Sequence, residues 1–207
     1  MINFQRMFQR SKKYFERKIE NKEIEQSILP VLIKEKKYVF IENLIDETAG
    51  YILIGEGGTG KTSLLLSYWE KMCGFNLENS STIPIYIRVN ELQNSMKYRN
   101  NTIIEYICRN YLECNEIENP DNIRNSFIKD IEDDLQKYKV ILLIDGINEV
   151  HNSSDRNKIW EEIECFIGNV NIKLILTSQF RERRVPKEIG TIKVGRLERT
   201  QVNNYFS

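Results

Sequence analysis

Eight consecutive residues carry the plainest chemistry: Gly55-Glu56-Gly57-Gly58-Thr59-Gly60-Lys61-Thr62, followed by Ser63. They fit the pattern G-x-x-x-x-G-K-[ST]. A triphosphate needs many hydrogen-bond donors pointing into one concavity, and glycines let the backbone turn so that successive N–H groups converge there. A helix beginning near Lys61 adds its unpaired N–H groups and the positive end of its dipole. The Lys61 ammonium is expected to reach the β- and γ-phosphates, which makes it a catalytic as well as a binding candidate, and the Thr62 hydroxyl is expected to ligate Mg²⁺. The run from Gly55 to Ser63 is therefore the expected nucleotide-binding loop, with ATP or ADP and Mg²⁺ as its ligands.

A second signal lies some eighty residues on, in Val140-Ile141-Leu142-Leu143-Ile144-Asp145-Gly146-Ile147-Asn148-Glu149. An apolar strand that ends in Asp145 puts a carboxylate at the carboxyl edge of a sheet, where open α/β folds bind ligands. There it is placed to hold Mg²⁺, usually through water. Glu149 follows over the same edge, and a carboxylate there can polarise an attacking water as a general base.

These residues need a frame, and the pattern around them supplies one. Tyr51–Ile54, Ile83–Val89, Val140–Ile144 and Ile172–Leu176 read as buried strands, and Thr191–Val194 as an edge strand. Between them, Thr62–Cys73, residues 101–114, residues 121–137 (capped by Asp121) and a stretch from Ser154 or Asp155 to Ile167 read as helices. Strands alternating with helices argue a parallel sheet covered on both faces. Residues 4–26 place Phe4, Met7, Phe8, Phe15 and Ile19 on one helical face amid Arg6, Arg10, Lys12, Lys13, Arg17 and Lys18. That face is expected to pack on the domain or on a partner. Pro30 interrupts the next apolar stretch, and Val39–Ile45 is a connector.

At 207 residues the chain fits one α/β domain, and 30 basic residues balance 30 acidic ones, so net charge singles out neither nucleic acid nor membrane as a partner. Cys73, Cys108, Cys114 and Cys165 lack metal spacing and read as free thiols of a reducing compartment. No apolar run approaches the ~20 residues of a spanning helix, and the N-terminus lacks a signal-type apolar core. A cytoplasmic location follows as the expectation.

Together the loop and the acidic strand resemble the NACHT family of signal-transducing P-loop NTPases, within the STAND class. The resemblance covers about residues 46–207, leaving residues 1–45 as an N-terminal helical segment. It implies a three-layer αβα sandwich with five parallel strands in the order 191–194, 51–54, 172–176, 140–144, 83–89 (5-1-4-3-2). It also implies a nucleotide-dependent switch that self-associates on activation, hydrolyses ATP slowly, and serves, in prokaryotic members, in defence. Asn148 stands where the family often has an acidic residue, and Gln179 where a Thr-Ser-Arg arginine senses the γ-phosphate; Arg181, Arg183 and Arg184 are candidate substitutes. Val194–Val202 resembles the junction to a helical lid, so lid and sensor domains are expected beyond Ser207. Two other readings stay open: a metabolic P-loop phosphotransferase with these arginines as a lid, and a nucleic-acid-dependent ATPase that contacts its partner through the basic N-terminal helix.

Overall fold

Phe4, Met7, Phe8, Ser11 and Phe15 recur at three- and four-residue intervals and form the inner face of helix α1 (Phe4–Glu20). The computed structural model describes residues 2–20, 31–34, 37–39, 49–74, 81–93, 101–112, 119–133 and 138–195. Two short strands, β1 (Val31–Lys34) and β2 (Lys37–Val39), precede the first central strand, β3 (Gly50–Ile54). Next come α2 (Lys61–Gly74), β4 (Thr82–Arg88) and a short α3 (Val89–Gln93). α4 (Thr102–Ile107) runs into a π-helical turn, Cys108–Leu112, and α5 (Pro120–Asp133) leads to β5 (Lys139–Asp145). A 3₁₀ turn, Ile147–Glu149, precedes α6 (Ser153–Phe166), β6 (Ile172–Ser178) and β7 (Ile189–Gly195).

The sheet order is β2-β1-β7-β3-β6-β5-β4. Its five central strands, β7-β3-β6-β5-β4, are all parallel and stand in the expected order. β6 lies between β3 and β5, so the carboxyl ends of all three strands adjoin. The sheet is apolar on both faces. Ile52, Ile85, Leu142 and Leu174 face one helical layer with Ile104, Phe127 and Ile163; Leu53, Tyr86, Leu143 and Ile175 face the other with Leu65 and Trp69. Each such aliphatic side chain contributes about 1.5–3 kcal/mol by leaving water, which explains why the strands read as continuous apolar runs.

Several expectations are corrected. β7 is not an edge strand: β1 pairs with it antiparallel, Leu32 opposite Val194, and β2 pairs with β1. The stretch before residue 46 is thus not wholly helical; strands of three and four residues hold too little periodicity to register. Val89 opens α3 rather than closing β4. Asp121 does not cap α5, because Asn119 Oδ1 accepts from the Asn122 N–H at 3.2 Å and Pro120 takes the first helical position. Asn152, not Ser154 or Asp155, caps α6, accepting from the Ser154 N–H at 2.9 Å. The expected helical residues 21–26, 113–114 and 134–137, the connector residues 40–45 and the lid junction 196–202 lie outside the described residues.

Strand β4 ends the sheet, and its free edge is covered. α1 crosses it, placing Phe4, Met7 and Phe8 in one apolar layer and Phe15 in the other. The fully buried Ser11 hydroxyl donates to the Pro84 carbonyl. The Tyr111 hydroxyl donates to Tyr86 O at 2.8 Å and accepts from Tyr86 N at 3.1 Å. Side chains thereby satisfy edge groups that would otherwise template another strand, and Pro84 is tolerated because its nitrogen, like that of Tyr86, faces the free edge where no ladder bond needs an N–H. Lys18 adds an ion pair to Glu91 at 2.8 Å. The apolar face of α1 packs on the domain itself. Cys73 and Cys108 are buried and Cys165 is exposed, and none of the three is in a disulfide; burial pushes the Cys73 thiol up to about 12, which keeps it protonated. Among the described residues no helix is long and apolar enough to cross a membrane.

Candidate nucleotide-binding site

β3 ends at Ile54 and the chain turns at once into the glycine-rich loop. Gly58 and Gly60 sit at φ +76° and +82°, a region that costs other L-residues about 1–2 kcal/mol. The loop braces itself: Thr59 Oγ1 donates to the Glu56 carbonyl at 2.9 Å. Leu64 N donates to Gly60 O at 2.9 Å and closes the first turn of α2. The N–H groups of Lys61, Thr62 and Ser63 are therefore first-turn donors with no intrahelical acceptor. The Lys61 ammonium, nearly buried, donates to Gly55 O at 2.6 Å, Glu56 O at 2.8 Å and Thr59 Oγ1 at 3.3 Å. Burial lowers its pKa, and Asp145 pulls it back up.

Asp145, at the end of β5, is 3% exposed. Its Oδ1 accepts from Thr177 Oγ1 at 2.5 Å and from Thr62 Oγ1 at 3.2 Å, and its Oδ2 accepts from the Tyr86 hydroxyl at 3.1 Å. The Thr177 hydroxyl in turn accepts from the Gly146 N–H at 2.8 Å. Burial, with the charge of Asp145 adding to it, raises the Tyr86 phenol well above its ordinary range, so Tyr86 stays a donor. A carboxylate offers about four lone-pair sites, and three are engaged. The hydroxyl of Thr62 and the carboxylate of Asp145 are hard oxygen donors in contact across one cleft, the ligand type that Mg²⁺ takes, usually with several waters. These residues fit the ion.

After β5 the chain reverses at Gly146, φ +82°, and enters the 3₁₀ turn that carries Glu149. A side chain at Gly146 would collide with Glu149: an added Cβ would lie 2.8 Å from its Cδ and 2.9 Å from its Oε1. Glu149 thus occupies the space that a residue directly after the aspartate would need. Burial raises the Glu149 pKa, Asp145 adds to the rise, and Arg88 and His151 oppose it.

Gly57, Gly58, Gly60, Lys61, Thr62, Ser63, Asp145, Asn148, Glu149 and Gln179 border a single cleft of about 280 Å³, joined by Gly146 and Thr177. Its size suits a phosphate chain better than a whole nucleotide. Asn148 Oδ1 accepts from the Gln179 N–H at 2.9 Å and ties the turn after β5 to the end of β6. Arg181, Arg183 and Arg184 lie elsewhere, in a neighbouring groove with Arg156 and Trp160. Arg184 is paired there with Glu161 and Glu164 on α6. Sequence reasoning missed Tyr86, Thr177 and the spatial role of Gly146; the Thr-Ser pair at the end of β6 was the available signal for Thr177.

The family model of the NACHT domain matches residues 50–206. The chain belongs to the NACHT family. Its fold is that of P-loop ATPases: Drosophila ORC bound to DNA superposes with a TM-score of 0.56 at 16% identity, over 80% of this chain and 43% of that one. The ORC2 protein of Aeropyrum pernix, solved as ADPNP–ADP complexes, gives 0.50 at 13% identity over 82% and 50%. This NACHT domain thus spans half or less of the chains it resembles in fold. No curated protein matches its sequence. It is a nucleotide-binding NTPase module of the P-loop class.

Proposed function

We propose that this NACHT domain is an ATP-operated switch that hydrolyses its nucleotide slowly and self-associates in the ATP-bound state. The observation that carries the reading is the meeting of Lys61, Thr62, Asp145 and Glu149 around one cleft, with Thr62 Oγ1 3.2 Å from Asp145 Oδ1. In this reading the backbone N–H groups of Gly57, Gly58 and Gly60 to Ser63 cradle the phosphates, whereas those of Gly55 and Thr59 are already donated to Ser178 O and Glu56 O at 3.3 Å. Lys61 exchanges its loop carbonyls for β- and γ-phosphate oxygens, a charge-assisted contact. Thr62 and Asp145 would hold Mg²⁺, which would supply positive charge to neutralise the phosphates. Glu149 orients the attacking water and takes its proton, and burial gives it the basicity for that task. One fold relative was solved with ADPNP and ADP, which supports ATP as the nucleotide to test first.

The switch reading comes from the family, and the geometry agrees with slow turnover. No arginine borders the phosphate cleft among the described residues. The phosphotransferase reading is not favoured, because the arginines 181, 183 and 184 face another groove, and the NACHT family match favours neither it nor a nucleic-acid-dependent ATPase. A lid domain after residue 207, action in the cytoplasm and a part in prokaryotic defence belong to the same proposal. The test is single-turnover hydrolysis by Glu149→Gln, with nucleotide affinity and sedimentation followed in parallel. Hydrolysis should fall by roughly 10²–10⁴-fold with binding retained, and the ATP-bound variant should associate more than the ADP-bound one. Equal sedimentation with both nucleotides would reject the switch.

A further inference from the structure

A continuous line of contacts runs from Asp145 to the far side of the edge strand. The Tyr86 hydroxyl donates to Asp145 Oδ2 at 3.1 Å. The Tyr86 ring stacks on Trp69 of α2, centroids 4.9 Å apart and planes 17° from parallel. Trp69 Nε1 donates to Ser11 Oγ on α1 at 2.9 Å, and Ser11 donates onward to Pro84 O on the same strand as Tyr86. Phe15 and Tyr14 of α1 pack on Trp69 as well, at 5.1 and 5.6 Å between centroids. Tyr86, Trp69 and Ser11 are buried, and close packing leaves such groups little room to move independently.

We propose that Tyr86 is a positioning residue for Asp145, and that Trp69 and Ser11 link that position to α1, so that docking of α1 and binding of Mg²⁺-nucleotide favour one another. The proposal rests on the reading of Asp145 as a metal-holding residue. Two features support it. Among the described residues Tyr86 alone hydrogen-bonds Oδ2, whereas Thr62 and Thr177 share Oδ1; removing its hydroxyl takes away the contact that fixes the second oxygen. The Tyr86 backbone is fixed independently by Tyr111, so the side chain has a rigid base. Linkage makes the effect reciprocal: whatever α1 docking adds to nucleotide affinity, nucleotide adds to α1 docking.

The test compares ATP affinity with Mg²⁺ and with EDTA, in the wild type, Tyr86→Phe and Ser11→Ala. Tyr86→Phe keeps the ring and its stack on Trp69. It should reduce the Mg²⁺ enhancement by roughly 10-fold while leaving affinity in EDTA unchanged. Ser11→Ala, remote from the cleft, should reduce the same enhancement by a smaller factor. In a Trp160→Phe background Trp69 is the sole tryptophan, and its emission should shift on adding Mg²⁺-ATP but not ATP in EDTA. That shift should be lost in Tyr86→Phe. Wild-type enhancement in Tyr86→Phe, or an equal loss with and without Mg²⁺, overturns the positioning role. A Ser11→Ala protein with wild-type enhancement and Trp69 response overturns the link to α1. Asp145→Asn isolates the underlying reading: if the wild type shows no Mg²⁺ enhancement, or Asp145→Asn keeps it, the metal role of Asp145 fails and this proposal falls with it.

Discussion

Gly146→Ala separates strain from function at the turn that presents Glu149. Two penalties are worked from the geometry. The backbone sits at φ +82°, which costs an alanine about 1–2 kcal/mol. The new Cβ would also lie 2.8 Å from Glu149 Cδ, well inside the ~3.5–4.0 Å of a comfortable carbon contact. Overpacking of this kind costs about 1–3 kcal/mol, so the total loss is about 2–5 kcal/mol. The carboxyl group that causes the collision can be removed. In a Glu149→Ala background Gly146→Ala should lose only the backbone part, about 1–2 kcal/mol. Urea unfolding of the four proteins gives the coupling directly, expected at about 1–3 kcal/mol. Gly146→Ala should also slow hydrolysis nearly as much as Glu149→Gln, because it displaces the same carboxylate. Strict additivity, with the same loss in both backgrounds, would refute the contact and the account of why glycine follows the aspartate.

Glu149, as the proposed base, can act only when ionised, and its folded pKa is raised; hydrolysis should therefore decline as pH falls through a value above the ordinary carboxylate range, a limb that Glu149→Gln should lack in a pH–rate profile. Because its native pKa exceeds the unfolded one, Glu149 also removes stability as pH rises between the two, so Glu149→Gln should flatten that part of the stability curve. Glu91 shows the opposite sign: burial would raise it, but its bonds from Lys18 and Tyr106 outweigh this and lower it. Its stabilisation is present above the unfolded pKa and lost as pH falls through the folded one, so exchange protection of α1 amides should drop in acid before that of β5. Asn148→Asp keeps the acceptor for the Gln179 N–H, so stability should hold within ~0.5 kcal/mol while single-turnover hydrolysis quickens; Asn148→Ala should lose about 0.5–1.5 kcal/mol in urea unfolding.

The phosphate loop was legible because its donors are contiguous: one strand, one turn and one helix start supply them, and glycine spacing records the turn. Asp145 was legible because an apolar strand points at it. The five-strand order required the family resemblance, since no local pattern says that β6 inserts between β3 and β5. The antiparallel hairpin of β1 and β2 escaped because three or four residues cannot display a period. Tyr86 and Thr177 escaped for another reason. They reach Asp145 from positions 59 and 32 residues away, and both look like ordinary strand residues until the register is known. The arginines after β6 show the converse: proximity in sequence to the Thr-Ser pair suggested a phosphate sensor, yet the chain carries them into the next groove.

Calorimetric titration of ATP with Mg²⁺ into the wild type and Lys61→Ala tests the central claim most directly. The Lys61 ammonium is held in the loop by Gly55 O and Glu56 O at 2.6 and 2.8 Å, already beside the N–H groups that would cradle the phosphates. Losing a charge-assisted contact of about 1.5–3 kcal/mol should weaken binding roughly 10–150-fold, with a circular-dichroism spectrum unchanged from wild type. Equal affinity for the two proteins, or no heat of binding in the folded wild type, would contradict the assignment of this cleft as the nucleotide site.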